Sequence, residues 1–520
     1  MVKHLQLTHL SELDYHKVRG LCVARFGWLL AFLIGVFGGQ LHAAPKQPNF
    51  IFILADDMPW YGTAVQMEEG FKASAGQTRR TPVIDQLARD GMTFSRAFAP
   101  AGMCAPSRCS IQTGMSAART RFSGNGNFDT KTREVIYGGR RSKGKLVLEP
   151  QPIGSLDLKQ DTIAEYLKPL GYASAHIGKW HIYGGGPGKH GYDVHDGPTT
   201  NNEGNSKDPK DPKLIFSITR KAISFMETQA KAGKPFYLQV SHYAEHNAVQ
   251  CLPETAAQCL KLKGIRDITS NALRKRVAQR TAMVLDMDRS IGMLLERLDE
   301  LGLSDNTYVI FMSDNGHHRD TGSKKFLRGN KWWLWEGGIR VPMIVRGPGV
   351  KGDSRCDVNV VGYDFLPTFV DLAGGSLDKL RDIDGASITS LLKGQQDRKL
   401  SDRFIYFHYP HHRNTAPHSV VLQGDLKYFR FYEQPDSHYL YNLKYAIGET
   451  ENIAAQNKSA VARLSREMDR YHLAVKACLP KPNPDADSNY KPFDPDKTPN
   501  FFLTQIPFLQ YSLIGLCVHV

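Results

Sequence analysis

Short apolar runs alternate with longer amphipathic segments along most of the chain. The runs lie at 49–57, 172–178, 234–244, 306–316 and 341–349, and the amphipathic segments at 81–91, 161–171 and 281–303. The first kind is typical of buried strands, and the helical spacing of the second, often followed by glycine, is typical of helices. Strands that alternate with helices form a largely parallel sheet covered on both faces. We therefore predict an α/β fold with a large mixed, mostly parallel sheet sandwiched by helices.

The pattern changes after about residue 395. Two runs with hairpin character, 419–433 and 438–443, precede a helical segment at 459–475. This predicts a smaller C-terminal α+β domain, an antiparallel sheet plus a helix, followed by a tail rich in Pro, Asp and Lys. The predicted organisation is a leader at 1–44, a main domain at 45–395, the α+β domain at 396–478 and the tail at 479–520.

The N-terminal 44 residues read as a leader. The apolar run at 28–39 follows basic residues and precedes small ones, and it is too short to span a bilayer comfortably. This layout is typical of a cleavable export signal cut near Ala43 or Ala44, and the alternative is an uncleaved N-terminal anchor. No other stretch is apolar for long enough to cross a membrane. We expect an exported protein, periplasmic or secreted.

The formal net charge is +14, of which the leader contributes only two. An excess of this size favours anionic partners, and nucleic acid, anionic glycans and bacterial surface polymers fit equally well at this level. Within the chain, 119–145 is a basic insertion with eight Lys or Arg against Asp129 and Glu134. It either holds a polyanion or is a solvated loop.

Eight cysteines are present, and export would remove Cys22 and leave an odd number. An odd cysteine in an oxidising compartment indicates one special position. Cys251 and Cys259 bracket one short segment, which we expect to be a loop closed by a disulfide. The remaining cysteines other than Cys104 either form bridges or are buried free thiols.

Polar residues follow two of the predicted strands. Asp56 and Asp57 end the first, and Asp314 and Asn315 end the strand at 306–316. In such folds ligand chemistry lies beyond the carboxyl ends of the strands. Together these side chains can supply four oxygen ligands to one hard cation, so they predict a metal site.

The stretch "CAPSRCSIQTG" at 104–114 places a cysteine near these oxygens. Pro106 and Ser107 favour a helix start, so Cys104 would lie just before a helix N-terminus, a natural anion site. Arg108 adds a permanently charged donor. A thiolate suits soft metals whereas carboxylates suit calcium or magnesium. Either one side of this mismatch is misread or Cys104 is not a cysteine in the working protein.

The same stretch resembles the type I sulfatase signature, Cys-x-Pro-Ser-Arg-x-x-Leu-x-Thr-Gly, with Ile111 in place of Leu. The resemblance extends to "ADD", "GKWH" at 178–181, "SDNG", "KWWLWEGGIRVP" at 331–342 and a late "LYNL". It implies an alkaline-phosphatase-like superfamily fold and hydrolysis of sulfate esters. It also implies that a maturation enzyme oxidises Cys104 to formylglycine, whose hydrate is an oxygen nucleophile.

The resemblance also implies roles for individual residues. Calcium would be held by Asp56, Asp57, Asp314, Asn315 and modified Cys104. Arg108 would steady the formylglycine hydrate, Lys179 and Lys331 would hold sulfate oxygens, His181 would handle the proton of the nucleophile, and His246 would assist the leaving alcohol. The block around His246 departs from the family, which usually has Ala-Pro-His where this chain has Ala-Glu-His.

The class of substrate is inferred from histidine-containing segments and from the net charge. His317 and His318 follow the metal motif, and a His-rich run lies at 408–418. Each of these two segments either contacts an anionic sugar or is a simple surface loop. With the basic charge, they favour a sulfated polysaccharide or oligosaccharide as substrate, with no nucleic-acid partner and no stable membrane span. Two alternatives stay open: a phosphatase or phosphodiesterase of the same superfamily, and a non-catalytic glycan-binding relative.

Overall fold

The computed structural model describes residues 47–124, 135–318 and 327–496. The predicted leader, Cys22, Cys517 and the centre of the basic insertion lie outside these ranges. The described residues belong to one compact unit. Within them, every helix falls short of the length and apolar character that crossing a membrane requires.

The main sheet has eight strands. In chain order they are β1 (Asn49–Ala55), β2 (Met92–Phe94), β3 (Ala173–Gly178), β4 (Val194–His195), β5 (Phe236–Ser241), β6 (Thr307–Ser313), β7 (Met343–Arg346) and β8 (Ser354–Cys356). Their spatial order is β8-β2-β7-β6-β1-β5-β3-β4. Neighbours run parallel except for β7, which is antiparallel to both β2 and β6. The predicted mixed, mostly parallel sheet is confirmed.

Helices cover this sheet. They are α1 (Pro82–Arg89), α2 (Cys104–Thr113), α3 (Ile163–Leu167), α4 (Ile215–Ala232), α5 (Pro253–Leu260), α6 (Asn271–Glu300) and α7 (Phe365–Leu372). Single helical turns lie at Ala117–Thr120, Glu336–Ile339, Thr389–Leu392 and Arg398–Ser401.

Strand β1 shows why the sheet is buried on both faces. All seven of its residues are buried. Successive side chains point to opposite faces, so Phe50 and Leu54 join the cluster that contains Phe369 of α7, whereas Ile51 packs in the cluster that contains Met287 of α6. A strand covered on both sides reads as a continuous apolar run, which is what the sequence shows.

Four helices differ from the prediction. Helix α6 begins at Asn271, well before the predicted 281. The prediction missed these first ten residues because they include four Lys or Arg and show little apolar periodicity. Helices α4 and α7 were not predicted. The segment between Cys251 and Cys259 is not a loop, because α5 occupies most of it.

The expected bridge between Cys251 and Cys259 is absent, and both are free thiols. The helix that joins them advances about 1.5 Å per residue, whereas a disulfide needs Cα atoms within about 7 Å. Cys259 is instead buried with Ile265 and Ala282, and Cys251 packs at the edge of the same cluster. Within the described ranges the other cysteines are free as well.

The C-terminal region contains the predicted antiparallel sheet and helix. The strands are β9 (Ile405–Tyr409), β10 (His418–Gln423), β11 (Leu426–Phe431) and β12 (Tyr439–Asn442), and the helix is α8 (Lys458–Ala474). One apolar cluster joins this sheet to the preceding region, since Phe407 and Phe429 pack with Phe98 and Trp335. The domain boundaries at 395 and 478 stay predictions.

Candidate active site

The carboxyl ends of β1 and β6 bring the predicted oxygen ligands together. The amide of Asp57 donates to Asp314 Oδ1 at 3.2 Å, and Asn315 Nδ2 donates to Asp57 Oδ1 at 2.7 Å. Asp56, Asp57, Cys104 and Asp314 each offer a ligand atom, and these atoms lie within 4.8 Å of one another. All four residues are buried, so the site is an enclosed cluster at the edge of the sheet.

Helix α2 carries Cys104 into this cluster. The helix begins at Cys104 itself rather than just after it. Pro106 is compatible with this start because it is the third residue of the helix, and the backbone amides of the first turn have no intrahelical partner. The Cys104 thiol donates to Asp56 Oδ1 at 3.4 Å, and Lys331 Nζ lies 2.9 Å from its Sγ. The helix start thus holds Cys104 between carboxylates and a cation.

Three buried cations surround the acids. Lys179 Nζ donates to Asp56 Oδ2 at 2.5 Å, and Lys331 Nζ is 2.6 Å from Asp57 Oδ1. Arg108 Nε donates to Asp314 Oδ2 at 2.7 Å, and its Nη1 donates to the Lys179 carbonyl at 2.6 Å. Each predicted cation therefore pairs with a different predicted metal ligand.

Burial and these cations set the ionisation of the site. Burial opposes ionisation of Asp56, but Lys179, His246 and Arg108 hold its pKa well below the usual range. Burial raises the pKa of Asp314 to about 6 although Arg108 faces it. Burial, together with the charge of Asp56, raises the pKa of the Cys104 thiol well above its ordinary value. An unmodified Cys104 would be a protonated thiol and a weak nucleophile.

The residues fit a hard cation. Asn315 Oδ1 is buried and has no hydrogen-bond partner among the described residues, an arrangement that a cation ligand would satisfy. Three carboxylates and an amide oxygen are donors of the kind calcium prefers. Sulfur at Cys104 is the one soft donor in the set.

Two predicted histidines lie near this cluster. His181 is buried, its amide donates to the Thr199 carbonyl at 2.8 Å, and its backbone has a left-handed φ of 59°. Burial, with Lys179 and Arg108 nearby, lowers its pKa to about 2, so the ring is neutral. His246 Nε2 lies 3.8 Å from Asp57 Oδ2, and its Nδ1 donates to the Asn247 carbonyl at 2.5 Å.

A buried charge network that the sequence did not reveal supports the His246 loop. Glu245 is fully buried, 2.6 Å from Arg79 Nη2 and 3.5 Å from Arg280 Nη1. Arg280 also donates to the Glu245 carbonyl at 3.0 Å and to Asn247 Oδ1 at 2.8 Å. The departure from the family at Glu245 was visible in the sequence, but its two arginine partners are distant along the chain.

His317 and His318 both lie beside the site, in different settings. His317 is buried, and its carbonyl accepts the Lys331 amide at 2.8 Å. His318 packs edge-on against Trp332 with ring centroids 5.1 Å apart and accepts from Asn247 Nδ2 at 3.4 Å. Trp332, which sequence reasoning did not single out, has a left-handed φ of 78°. Such strain is found at functional sites. The substrate roles of both histidines stay predictions.

The His-rich run at 408–418 is not a simple surface loop. His408, His411 and His418 are buried, and His411 Nε2 is hydrogen-bonded to Ser123 Oγ at 2.9 Å. His411 also lines a cavity with Arg140 and other residues.

Comparison with known families gives two matches. The sulfatase family model matches residues 48–376. The model of the C-terminal region of N-sulphoglucosamine sulphohydrolase matches residues 326–474.

Individual relatives and solved structures extend this likeness. A sulfatase of Formosa agariphila is 26% identical, with 84% of this chain and 90% of the relative covered. N-acetylgalactosamine-6-sulfatase of Canis lupus familiaris is 27% identical, with 74% and 73% covered. The structure of Ps i-CgsB in complex with k-i-k-neocarrahexaose has a TM-score of 0.66 at 24% identity and covers 82% of this chain and 93% of its own. BT4656 in complex with its substrate D-glucosamine-2-N,6-O-disulfate has a TM-score of 0.60 at 21% identity, with 86% and 100% covered.

Proposed function

The chain belongs to the sulfatase family and is an enzyme that hydrolyses sulfate esters, and from this we propose that its substrate is a sulfated carbohydrate. A relative named for N-acetylgalactosamine-6-sulfate, and solved structures in complex with k-i-k-neocarrahexaose and with a disulfated glucosamine, support a carbohydrate. The basic character of the chain outside its leader supports an anionic glycan.

The observation that carries the mechanism is the placement of Cys104 Sγ, 3.4 Å from Asp56 Oδ1 and 2.9 Å from Lys331 Nζ. A sulfate ester has a compact anionic head. In our proposal Lys179 and Lys331 hold its oxygens, and Arg108 keeps the residue at 104 oriented. These donors are buried and fixed before the substrate arrives, which is the arrangement that best stabilises developing charge.

The group at position 104 is proposed to be formylglycine. The conversion would break the Cβ–S bond of Cys104 and form a C=O bond, with the sulfur and two hydrogens leaving as hydrogen sulfide, and it requires a maturation enzyme and an oxidant that supplies the oxygen atom. The hydrated aldehyde supplies an oxygen nucleophile where the raised thiol pKa leaves cysteine unreactive. A calcium ion held by Asp56, Asp57, Asp314 and Asn315 would supply positive charge beside the sulfate.

Two histidines would move protons in the proposed reaction. The His181 ring is neutral because burial lowers its pKa to about 2, so a ring nitrogen can accept a hydrogen bond from the hydroxyl of the nucleophile. In our proposal it takes that proton as the bond to sulfur forms and the hydroxyl becomes more acidic. His246 donates from Nδ1 to the Asn247 carbonyl, so Nε2 is its exchanging atom. Burial lowers the pKa of His246, and the charges of Asp56 and Asp57, the latter 3.8 Å away, oppose that shift. In our proposal the ring carries a proton at Nε2 and passes it to the leaving alcohol.

The test begins with a chromogenic aryl sulfate and the matching phosphate. We expect turnover of the sulfate, followed by activity on some member of a panel of defined sulfated oligosaccharides. Faster phosphate turnover would favour a phosphatase of the same superfamily. Loss of both activities in a preparation with formylglycine and calcium in place would favour a glycan-binding relative. Peptide mass spectrometry should find the aldehyde at Cys104, and an active preparation with wholly unmodified Cys104 contradicts the mechanism.

We also propose that the protein is exported to the periplasm or beyond. The support is the short apolar run at 28–39 between basic and small residues. N-terminal sequencing of the protein from its native host should give a start near residue 44 or 45. A mature protein that retains Met1 would contradict a cleaved signal.

A further inference from the structure

A cavity of about 170 Å³ opens beside the helix start that carries Cys104. Its wall includes Met103, which directly precedes Cys104, and three arginines: Arg140, Arg141 and Arg413. A cavity of this volume has room for several water molecules. It can therefore admit one charged group with part of a sugar ring.

In the described ranges, none of the three arginines of this cavity has a carboxylate oxygen within salt-bridge distance. The charge of Arg141 acts on Glu149 from farther away and helps to lower the pKa of that carboxyl. Glu149 is the one acid in the wall, and it is engaged elsewhere: its Oε2 accepts the His412 amide at 2.7 Å and lies 3.6 Å from His411 Nδ1. Three guanidinium groups against one carboxylate leave the cavity strongly positive.

Two of the arginines lie on an ordered segment. The Gly138 amide donates to the Glu149 carbonyl at 2.9 Å, and the Glu149 amide donates to Ser142 Oγ at 2.9 Å. From the C-terminal region, Asn483 Nδ2 donates to the Lys145 carbonyl at 2.8 Å. The backbone of the segment is fixed on both sides, so the exposed side chains of Arg140 and Arg141 are anchored at defined positions beside the cavity.

The third arginine connects the cavity to the nucleophile. The Arg413 guanidinium lies over the Trp332 ring, 4.9 Å from its centroid. Trp332 is adjacent to Lys331, whose Nζ is 2.9 Å from Cys104 Sγ. Met103, in the cavity wall, directly precedes Cys104, and Trp332, against Arg413, directly follows Lys331, so the cavity lies next to the segments that carry the proposed sulfate site.

We propose that this cavity is a subsite for a second anionic group of the substrate, a sulfate or a carboxylate, bound while the scissile sulfate lies at residue 104. The inference rests on the proposed function of the site. Guanidinium groups match the planar edges of oxyanions and bind them in a bidentate manner. Tyr409 and Gln151 add neutral polar groups to the same wall. The substrate is thus a glycan with at least two anionic groups, on one sugar or on adjacent sugars.

The structure supplies a matched control on the same segment. Lys143 is exposed, close to Arg141 in sequence, and absent from the cavity wall. Lys145 also points elsewhere, since its Nζ lies 4.4 Å from the centroid of the Tyr490 ring. Arg141→Gln and Arg413→Gln therefore test the subsite, whereas Lys143→Gln removes the same charge from the same region without entering the cavity.

The experiment compares kcat/KM for paired oligosaccharides that differ by one group. One pair differs by a second sulfate and another by a uronic carboxylate, and both members of each pair carry a sulfate ester that the wild-type enzyme hydrolyses. We expect the wild type to prefer the doubly charged member of at least one pair, which identifies the anion. In Arg141→Gln and Arg413→Gln that preference should fall about 10- to 100-fold, the range expected for losing a hydrogen bond between charged groups. In Lys143→Gln it should be kept.

Salt dependence gives a second readout. The preference of the wild type should weaken with ionic strength, and the two cavity variants should be less salt-sensitive than Lys143→Gln. Equal preference in Arg141→Gln, Arg413→Gln and Lys143→Gln overturns the subsite while leaving sulfate hydrolysis intact. Absence of any sulfatase activity in the wild type instead overturns the proposed function. Retained turnover of a chromogenic aryl sulfate shows that each variant is folded.

Discussion

The charge network behind the His246 loop allows a sharp prediction from a single substitution, Glu245→Gln. The Glu245 side chain is fully buried, and its carboxylate is 2.6 Å from Arg79 Nη2 and 3.5 Å from Arg280 Nη1. Among the described residues, Glu245 is the acid that pairs with both arginines. The amide keeps the shape of the side chain but removes its charge, so two buried guanidinium groups lose their counter-charge.

The expected magnitude follows from the geometry. Two unit charges 4 Å apart attract by about 4 kcal/mol at an effective dielectric constant of 20. Breaking a buried ion pair by removing one partner costs about 3–5 kcal/mol, because a charge is left uncompensated. Since glutamine can still accept one hydrogen bond, we expect the free energy of unfolding to fall by about 3 kcal/mol, at the lower end of that range.

The same substitution should slow turnover. Arg280 donates to Asn247 Oδ1 at 2.8 Å, and the Asn247 carbonyl accepts from His246 Nδ1 at 2.5 Å. A displaced Arg280 would therefore loosen the ring that is proposed to protonate the leaving alcohol. We expect kcat to fall about tenfold, equivalent to about 1.4 kcal/mol, with a smaller change in KM.

The assay is urea-induced unfolding followed by tryptophan fluorescence, together with steady-state kinetics. The matched control is Glu227→Gln, because Glu227 pairs at 2.8 Å with Arg297 at the surface, where such pairs are worth about 0–1 kcal/mol. Adding Arg280→Met to Glu245→Gln should restore part of the lost stability by removing an uncompensated charge. The reasoning is refuted if both glutamine variants lose the same small amount, or if the double variant is simply additive.

Three other perturbations test the remaining features of the site and fold. Cys104→Ser should abolish turnover in a host that matures cysteine only, measured beside peptide mass spectrometry of the wild type. Asp314→Ala should lower bound calcium and turnover together; full activity of metal-free wild type with a chelator present would contradict the metal site. Burial lowers the pKa of His418 to about 4, so the unfolded chain binds the extra proton as pH falls below about 6.5 and stability drops by up to about 1.4 kcal/mol per pH unit. His418→Phe should flatten that slope between pH 6.5 and 4, whereas the exposed His195→Gln should not.

The sequence predicted that the acids at the ends of two strands lie together, because local patterns determine where those strands end. A buried parallel strand reads as a continuous apolar run, and the polar residues that end it lie at the functional edge of the sheet. Asp57 and Asp314, far apart in the chain, are brought within hydrogen-bond distance because β1 and β6 are paired neighbours. Knowing that two strands end in acids was enough to predict the cluster.

Three other features were missed, each for a different reason. The pattern of α4 was present in the sequence, since Ile215, Ile218, Ala222 and Phe225 recur at helical spacing and are buried. The antiparallel direction of β7 was not accessible in that way, because direction depends on the connections around a strand and not on its composition. The bridge between Cys251 and Cys259 failed because an intervening helix, rather than a loop, joins them.

The proposed reacting residues and the residues of the proposed subsite come from different kinds of segment in this fold. Proposed reacting groups such as Cys104 and Lys179 lie at the ends of strands and helices within short motifs, so they can be found one motif at a time. Arg141 and Arg413 come from irregular segments whose proximity depends on how the C-terminal sheet packs against the main one. Because that packing can vary while the strand ends stay fixed, the same sulfate chemistry can be directed to different glycans. If the cavity variants change which glycan is preferred without removing aryl-sulfate turnover, Arg141 and Arg413 determine the choice of substrate in this enzyme.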